Sequence, residues 1–599
     1  MFAQRNIYIL FFACIFFSLQ LSSMERSQSS WLSPSYYTNW IKNSWVAKQL
    51  QAIKTKASAA FFTQKQWDVI YHKKEEESRN KSILLAKESA KKFKQSVEKA
   101  AEKESMSNPP GIMARFIHHP EKFLFGASSS SYQYEGGLDV KNEQGEYINA
   151  SARFYHNNNL PLASDAIDFW NRYKDDIKQM KEELGINAFR LSIAWDRVEP
   201  KQGEYNQAAI DTYKNIIKTL KMNGIEPIVV LHHYTVPSWF EDLGGFLKGA
   251  NYQLFVAFAK KMYENLYADV IYWSTFNAIE GYAFKGYFRA EGAPGNAEYK
   301  DNMEIVALVM QNMLQAHVNI YTAIKGTTET NPKATNPHIP GLYEKKLKDN
   351  PTIPNPQIGI QKNIVLLDPS QANLFHFCLT PLSNICIHFG NILQNEGFYK
   401  FLTEGRFQIS IPFKVSSSYY YKYAQGALDW IGVNIYSNIK MFLGTTQQET
   451  NPKKQTANLT YRDYPEGIYR AVEEIHKRIA KPLNIPIIIT ENGIATNDNE
   501  QRTRFFRRAL FTIRKLIDEG YPIIGYTPWA SHDNYEWPTA TQPEAFTSRR
   551  YGFFEVNFDK NSPDYLKRTL KTGAHYYSSF VKTYLTKKLP KAVRETITE

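Results

Sequence analysis

IPIIITENG, residues 485–493, is a run of β-branched apolar residues that turns polar at its carboxyl end, at Thr490, Glu491 and Asn492. A run this short and uniformly apolar reads as a strand buried on both faces, as in a parallel sheet. Seven more segments share the design: FLFGASSSSYQYEGG (123–137), INAFRLSIAWDRVEP (186–200), IEPIVVLHHYTVPSWF (225–240), VIYWSTFNA (270–278), PQIGIQKN (356–363), DWIGVNIYSN (429–438) and YPIIGYTPWASHDNYEW (521–537). Amphipathic stretches separate them. Eight buried strands alternating with helical connections predict an α/β fold, a closed (β/α)8 TIM barrel. Such a barrel carries its chemistry at the carboxyl ends of its strands, where these runs turn polar. An open doubly wound sheet is the alternative, but no glycine-rich phosphate loop follows the first strand.

The polar residues at these ends are of a particular kind. They are Gln133, Glu135, Arg190, His233, Asn277, Asn434, Tyr436, Glu491, Trp529, Glu536 and Trp537. Planar amides, carboxylates, a histidine and indole faces suit a ring bearing several hydroxyls, since each hydroxyl needs a donor and an acceptor while the C–H face of a sugar stacks on indole. Any one of them alone is ordinarily structural. Their gathering at one end of eight strands is what argues for a site.

With those segments in order, the chain from about Arg115 to Leu585 resembles the family 1 glycoside hydrolases, the β-glucosidase and β-galactosidase group. FLFGASSSSYQYEGG is similar to that family's opening F-x-x-G-x-A-x-S-A-Y-Q-x-E-G, IITENG to its nucleophile strand, and WASHDNYEW, followed by RRYGFFEVNFD, to its W-S-L-x-D-N-x-E-W. The resemblance implies a retaining mechanism with two carboxylates about 5 to 5.5 Å apart, one attacking the anomeric carbon and one protonating the leaving oxygen. It places Glu491 at the nucleophile. Arg190 falls beside it, to keep that carboxylate ionised, and Tyr436 at a tyrosine that hydrogen-bonds it. Gln133, His233, Asn277, Glu536 and Trp537 fall at sugar-hydroxyl positions and Trp529 at the stacking platform, with Asn434 among the substrate-binding set.

One position departs from the pattern. The family's fourth-strand motif is T-x-N-E-P, with the acid/base glutamate directly after the asparagine; here Thr275-Phe276-Asn277 is followed by Ala278. The downstream register is kept at Gly286-Tyr287 and Ala293-Pro294-Gly295, so no slipped alignment restores the glutamate. Alanine neither gives nor takes a proton, and general acid–base assistance is worth about 10²- to 10⁴-fold. Three readings stay open: Glu280 swings in as a substitute acid; the enzyme uses good leaving groups or an external acid, as do thioglucoside-cleaving members, which carry glutamine there; or the chain is a catalytically inactive carbohydrate-binding or envelope protein. The family's H-W-D-x-P also becomes His233-Tyr234-Thr235-Val236-Pro237. Glu536 argues against 6-phosphosugars, because a carboxylate at the O4/O6 edge repels phosphate; Arg549, near a lysine position of phospho-specific members, points the other way.

The rest of the chain frames this barrel, expected over residues 114–599. Residues 1–23 combine Arg5 with an apolar run from Ile7 to Leu19, shorter than the roughly twenty residues of a membrane span, and read as a secretory signal. An uncleaved anchor is the alternative. Either way the protein is expected to be exported, with membrane or envelope association through the N-terminus. Residues 24–113 form a charged helical extension that ends at Asn108-Pro109-Pro110-Gly111. Residues 326–357, rich in Pro, Asn, Thr and Lys, are expected to be a surface loop. Cys378 and Cys386, eight apart on an expected helix, would stand about 12 Å apart, too far to bridge. The net charge of +13 is spread along the chain with no basic–aromatic ladder, which argues against nucleic acid. No metal or organic cofactor is implied; the expected partner is a β-linked sugar or glycoside. Oligomeric state is not legible.

Overall fold

The apolar runs form the eight barrel strands, and each is buried because helices cover its outer face. The computed structural model describes residues 123–586, apart from 296, 327–338, 371–375, 377–378, 413, 448–453, 459–460, 540–542 and 545–547. The expected signal, the charged extension and Cys378 lie outside the described residues. The strands are β1 (Leu124–Ser128), β2 (Ala188–Ser192), β3 (Glu226–Val230), β4 (Tyr272–Asn277), β5 (Gln357–Asn363), β6 (Trp430–Asn434), β7 (Ile487–Glu491) and β8 (Ile523–Tyr526). Each pairs in parallel with its neighbours in chain order, and β8 closes on β1 to complete the barrel. All eight are the segments expected from the apolar runs.

Leu124, Ala188, Ile228, Trp430 and Ile488, from β1, β2, β3, β6 and β7, form one buried apolar cluster of the barrel. Gly359 makes room for the largest of them: a Cβ there would stand 2.3 Å from the Trp430 ring. Outside, the amphipathic helices Gln207–Met222 and Asn499–Asp518 bury one face each, whereas the longer Met303–Lys325 is buried all round over residues 312–318. Their starts are set by side chains: Asn206, Asn302 and Asp498 each accept from backbone N–H groups in the first turn, which would otherwise be unsatisfied.

Short additional strands lie outside the barrel, paired antiparallel except for the parallel pair of Asn438–Phe442 with Leu366–Pro369. Arg406–Ile411 pairs with Val415–Tyr420, and Asn438–Phe442 lies between Leu366–Pro369 and Thr445–Gln447. Part of the 326–357 segment departs from the expected loop: Leu342–Asp349 is a partly exposed helix. Its LYEKKLKD composition favours helix between Gly341 and Asn350, and that local preference prevails over the surrounding Pro and Asn.

Candidate active site

At the carboxyl ends of the strands, one charge pair organises the surroundings. Glu491 is the last residue of β7, and its two carboxylate oxygens have different partners. Oε1 accepts from the Arg190 guanidinium; Oε2 accepts from the Tyr436 hydroxyl at 2.7 Å. Arg190 is fully buried and Glu491 nearly so. A buried guanidinium needs acceptors for its remaining N–H groups; Gln361 Oε1 and Asn277 Oδ1 (3.3 Å) serve Nη1, while the buried Nε has no partner among the described residues. Asn434 Nδ2 also donates to Asn277 Oδ1 (2.8 Å), and Thr490 Oγ1 donates to Asn434 Oδ1 (2.7 Å). Residues from β2, β4, β5, β6 and β7 thus form one continuous network. Register permits it: Asn277 aligns with Gln361 and Glu491 with Asn434 across neighbouring strands.

A second group comes from the loops after β1, β3 and β8. Asn277 Nδ2 stands 3.0 Å from His233 Nε2. Burial first, and then the positive Arg190, hold the His233 imidazole well below its ordinary pKa. It is therefore neutral, and its buried Nδ1 has no protein partner among the described residues. Trp529 packs at 5.8 Å from the His233 ring and donates from Nε1 to Glu536 Oε1 at 2.8 Å. Trp537 stacks on Tyr132 with rings 5.7 Å apart. Gln133 is buried, accepting from Ser130 Oγ (2.7 Å) and donating to Asn534 Oδ1 (3.1 Å) and the Tyr535 carbonyl (2.8 Å).

Burial raises the pKa of both carboxylates. Burial pushes Glu491 up from its ordinary value, opposed by Arg190, Tyr436 and Asn277. The guanidinium acts in the expected direction, but burial outweighs it. Burial pushes Glu536 up to about 7, with the nearby Glu491 charge adding to the rise and the Trp529 and Arg549 contributions opposing it.

Of the residues singled out in the sequence, these converge, and two do not. Glu135 is turned away to Arg197 (3.1 Å) and the Tyr213 hydroxyl (2.7 Å), a structural pair behind the first loop. Glu280, the expected substitute acid, is 3% exposed in its side chain and salt-bridged at 3.2 Å to the fully buried Lys362; its Oε1 also accepts from the Asn363 backbone N–H at 2.7 Å. The structure corrects that expectation: the first turn of helix Ile279–Ala283 aims this carboxylate at β5, and withdrawing it would leave a buried ammonium unpaired. Ala278 itself is buried, its N–H bonded to the Gln361 carbonyl at 2.9 Å. Sequence reasoning missed Gln361 and Lys362, although a Gln-Lys pair ending the apolar run QIGIQKN was a visible signal.

Comparison with known proteins shows the family. The model of glycosyl hydrolase family 1 matches residues 116–339 and 416–585, and the chain belongs to that family. A 6-phospho-β-galactosidase of Leptotrichia buccalis is 26% identical over 497 residues, spanning 78% of this chain and 98% of that protein. β-Glucosidase A of Acetivibrio thermocellus is also 26% identical over 497 residues, with the same coverage. The solved β-glycosidase from Pyrococcus horikoshii superposes with a TM-score of 0.61 at 27% identity, covering 80% of this chain and 98% of that one.

Proposed function

We propose that this family 1 glycosyl hydrolase is a retaining β-glycosidase of β-glucosidase type, exported by residues 1–23, whose acid/base step is weakened by Ala278. The observation that carries the reading is the Glu491 carboxylate held between Arg190 and the Tyr436 hydroxyl at the end of β7. One oxygen is thereby oriented by a charge and the other by a neutral donor. That is how a carboxylate is kept in place to attack a ring carbon above it and then to leave again. Asn277, His233, Glu536 and Trp537 bind the sugar hydroxyls, and Trp529 stacks under the ring. Glu536 favours an unphosphorylated sugar, since a buried carboxylate beside O6 repels phosphate.

With Ala278 at the acid/base position and Glu280 committed to Lys362, departure of the leaving group depends on its own stability as an anion. Hydrolysis of two aryl β-glucosides, one with a very good leaving group and one with a poor one, with and without azide, tests this. Turnover of the good one alone, raised by azide with β-glucosyl azide as product, is expected. Comparable turnover of both would mean that another acid operates. The absence of turnover with either would favour the second reading, a sugar-binding protein that retains the fold, which the same missing carboxylate supports.

A further inference from the structure

The space beside Ala278 is not empty of chemistry. Gly281 is one helical turn after it, and a Cβ built there would stand 2.3 Å from the Tyr234 hydroxyl oxygen and 3.7 Å from the Ala278 Cβ. The Tyr234 hydroxyl and the Ala278 methyl thus lie against the same glycine. The tyrosine ring is fixed by its neighbours, 5.4 Å from His233, 6.4 Å from Tyr282 in a stacked arrangement, and 6.1 Å from Trp537. Its backbone is also constrained, at φ +70°, a conformation that a bulky side chain rarely adopts. Its hydroxyl makes no hydrogen bond to any described residue, and with Tyr155, Tyr282, Lys285 and Trp537 it lines a narrow cavity.

We propose that Tyr234 is a catalytic residue of this chain, its hydroxyl donating a hydrogen bond to the glycosidic oxygen as that oxygen departs. The inference rests on the retaining glycosidase reading above and deepens it. A Glu491 oxygen forms a bond to the anomeric carbon; the bond from that carbon to the aglycone oxygen breaks, and its electron pair goes to that oxygen. The oxygen leaves as an anion stabilised by the Tyr234 O–H and takes its proton from solvent water. In the second half a water molecule attacks the anomeric carbon, the bond to Glu491 breaks with its electron pair returning to the carboxylate, and the water's proton passes to a buffer base.

The hydroxyl donates without being transferred. Burial holds Tyr234 well above the ordinary phenol value, and the negative Glu280 and Glu491 add to the rise. A group that stays protonated at every working pH is a constant donor and a poor base. It helps leaving groups that are already stable anions and does little to activate water, which suits azide as a replacement nucleophile. The substrate class that follows is glycosides of acidic aglycones, phenols above all.

The test compares the wild type with Tyr234→Phe over aryl β-glucosides ranging from 2,4-dinitrophenyl to 4-methoxyphenyl. A hydrogen bond to a developing anion predicts a loss in kcat/KM of about tenfold or more for 4-methoxyphenyl and under about threefold for 2,4-dinitrophenyl, a steeper dependence on leaving-group acidity. Gly281→Ala, which drives a methyl into the hydroxyl while keeping the phenol, is expected to do the same and covers the case in which the first variant folds poorly. An equal loss across the series, or none, overturns the role of Tyr234. Trapping with 2,4-dinitrophenyl 2-deoxy-2-fluoro-β-glucoside and peptide mass spectrometry reads the underlying reading separately. Glu491 labelled in the wild type with a parallel loss in the variants sinks only the tyrosine; Glu491 unlabelled sinks both.

Discussion

The two sides of the candidate site are built to different standards. On the β7 side the residues are linked into one network: Glu491 has Arg190 and Tyr436, Arg190 has Gln361 and Asn277, and Asn277 has Asn434 and His233. On the β4 side a methyl, Ala278, stands at the strand end, the adjacent glutamate is drawn off to Lys362, and one tyrosine hydroxyl makes no hydrogen bond to a described residue. The difference teaches where the fold constrains chemistry. A buried guanidinium cannot lose its carboxylate without stranding a charge, so Glu491 is tied to the stability of the barrel as well as to any reaction. A carboxylate at position 278 has no charged partner whose burial would demand it, so its loss leaves the network opposite intact.

That contrast can be broken from either side. The largest effect is expected on the β7 side: Glu491→Gln should abolish covalent labelling and lower turnover of 2,4-dinitrophenyl β-glucoside by about 10⁴-fold or more, read by burst and steady-state kinetics. Retained turnover in that variant would remove Glu491 from the mechanism and erase the asymmetry. Next comes repair of the β4 side. Ala278→Glu combined with Tyr234→Ala, which clears the side chain standing against Gly281, should raise kcat/KM for the 4-methoxyphenyl glucoside by about 10²-fold and abolish azide stimulation. No gain would mean that the strand end no longer presents residue 278 to the leaving oxygen.

The smallest effect sharpens the comparison through pH. Glu536 has its folded pKa raised from 4.5 to about 7, so between those values the folded state holds a proton that the unfolded state has released. Its contribution to stability is greatest below pH 4.5 and declines as pH rises to about 7, by at most about 1.4 kcal/mol per pH unit. Glu135 and Glu241 are also raised to about 7 by burial and share this trend. The informative quantity is therefore the difference in unfolding free energy between wild type and Glu536→Gln, measured by denaturant titration from pH 4.5 to 8. It should shrink with rising pH and level off above 7; a flat difference would mean that Glu536 is ionised throughout.

The barrel was legible because burial on both faces leaves a one-dimensional trace: runs such as IPIIITENG and DWIGVNIYSN are apolar along their length and turn polar where the strand ends. Most of the site was legible for the same reason, since Arg190, Asn277, Asn434 and Glu491 are polar residues in or at the ends of apolar strands. Glu135 carried the same signature and proved to be a structural partner of Arg197 and Tyr213. Position along a strand does not say which way the residues beyond it turn.

Residue type and spacing alone give the order of the eight strands, the polar character of their ends, and the alanine that directly follows Asn277. Only the tertiary structure decided who partners whom. Gln361 meets Arg190 across 171 positions, Lys362 takes Glu280 away from the cleft, and Tyr234 comes to rest against Gly281 beside Ala278. Those pairings depend on strand register and on which buried charge must be neutralised first, and neither is written in the local pattern of either partner.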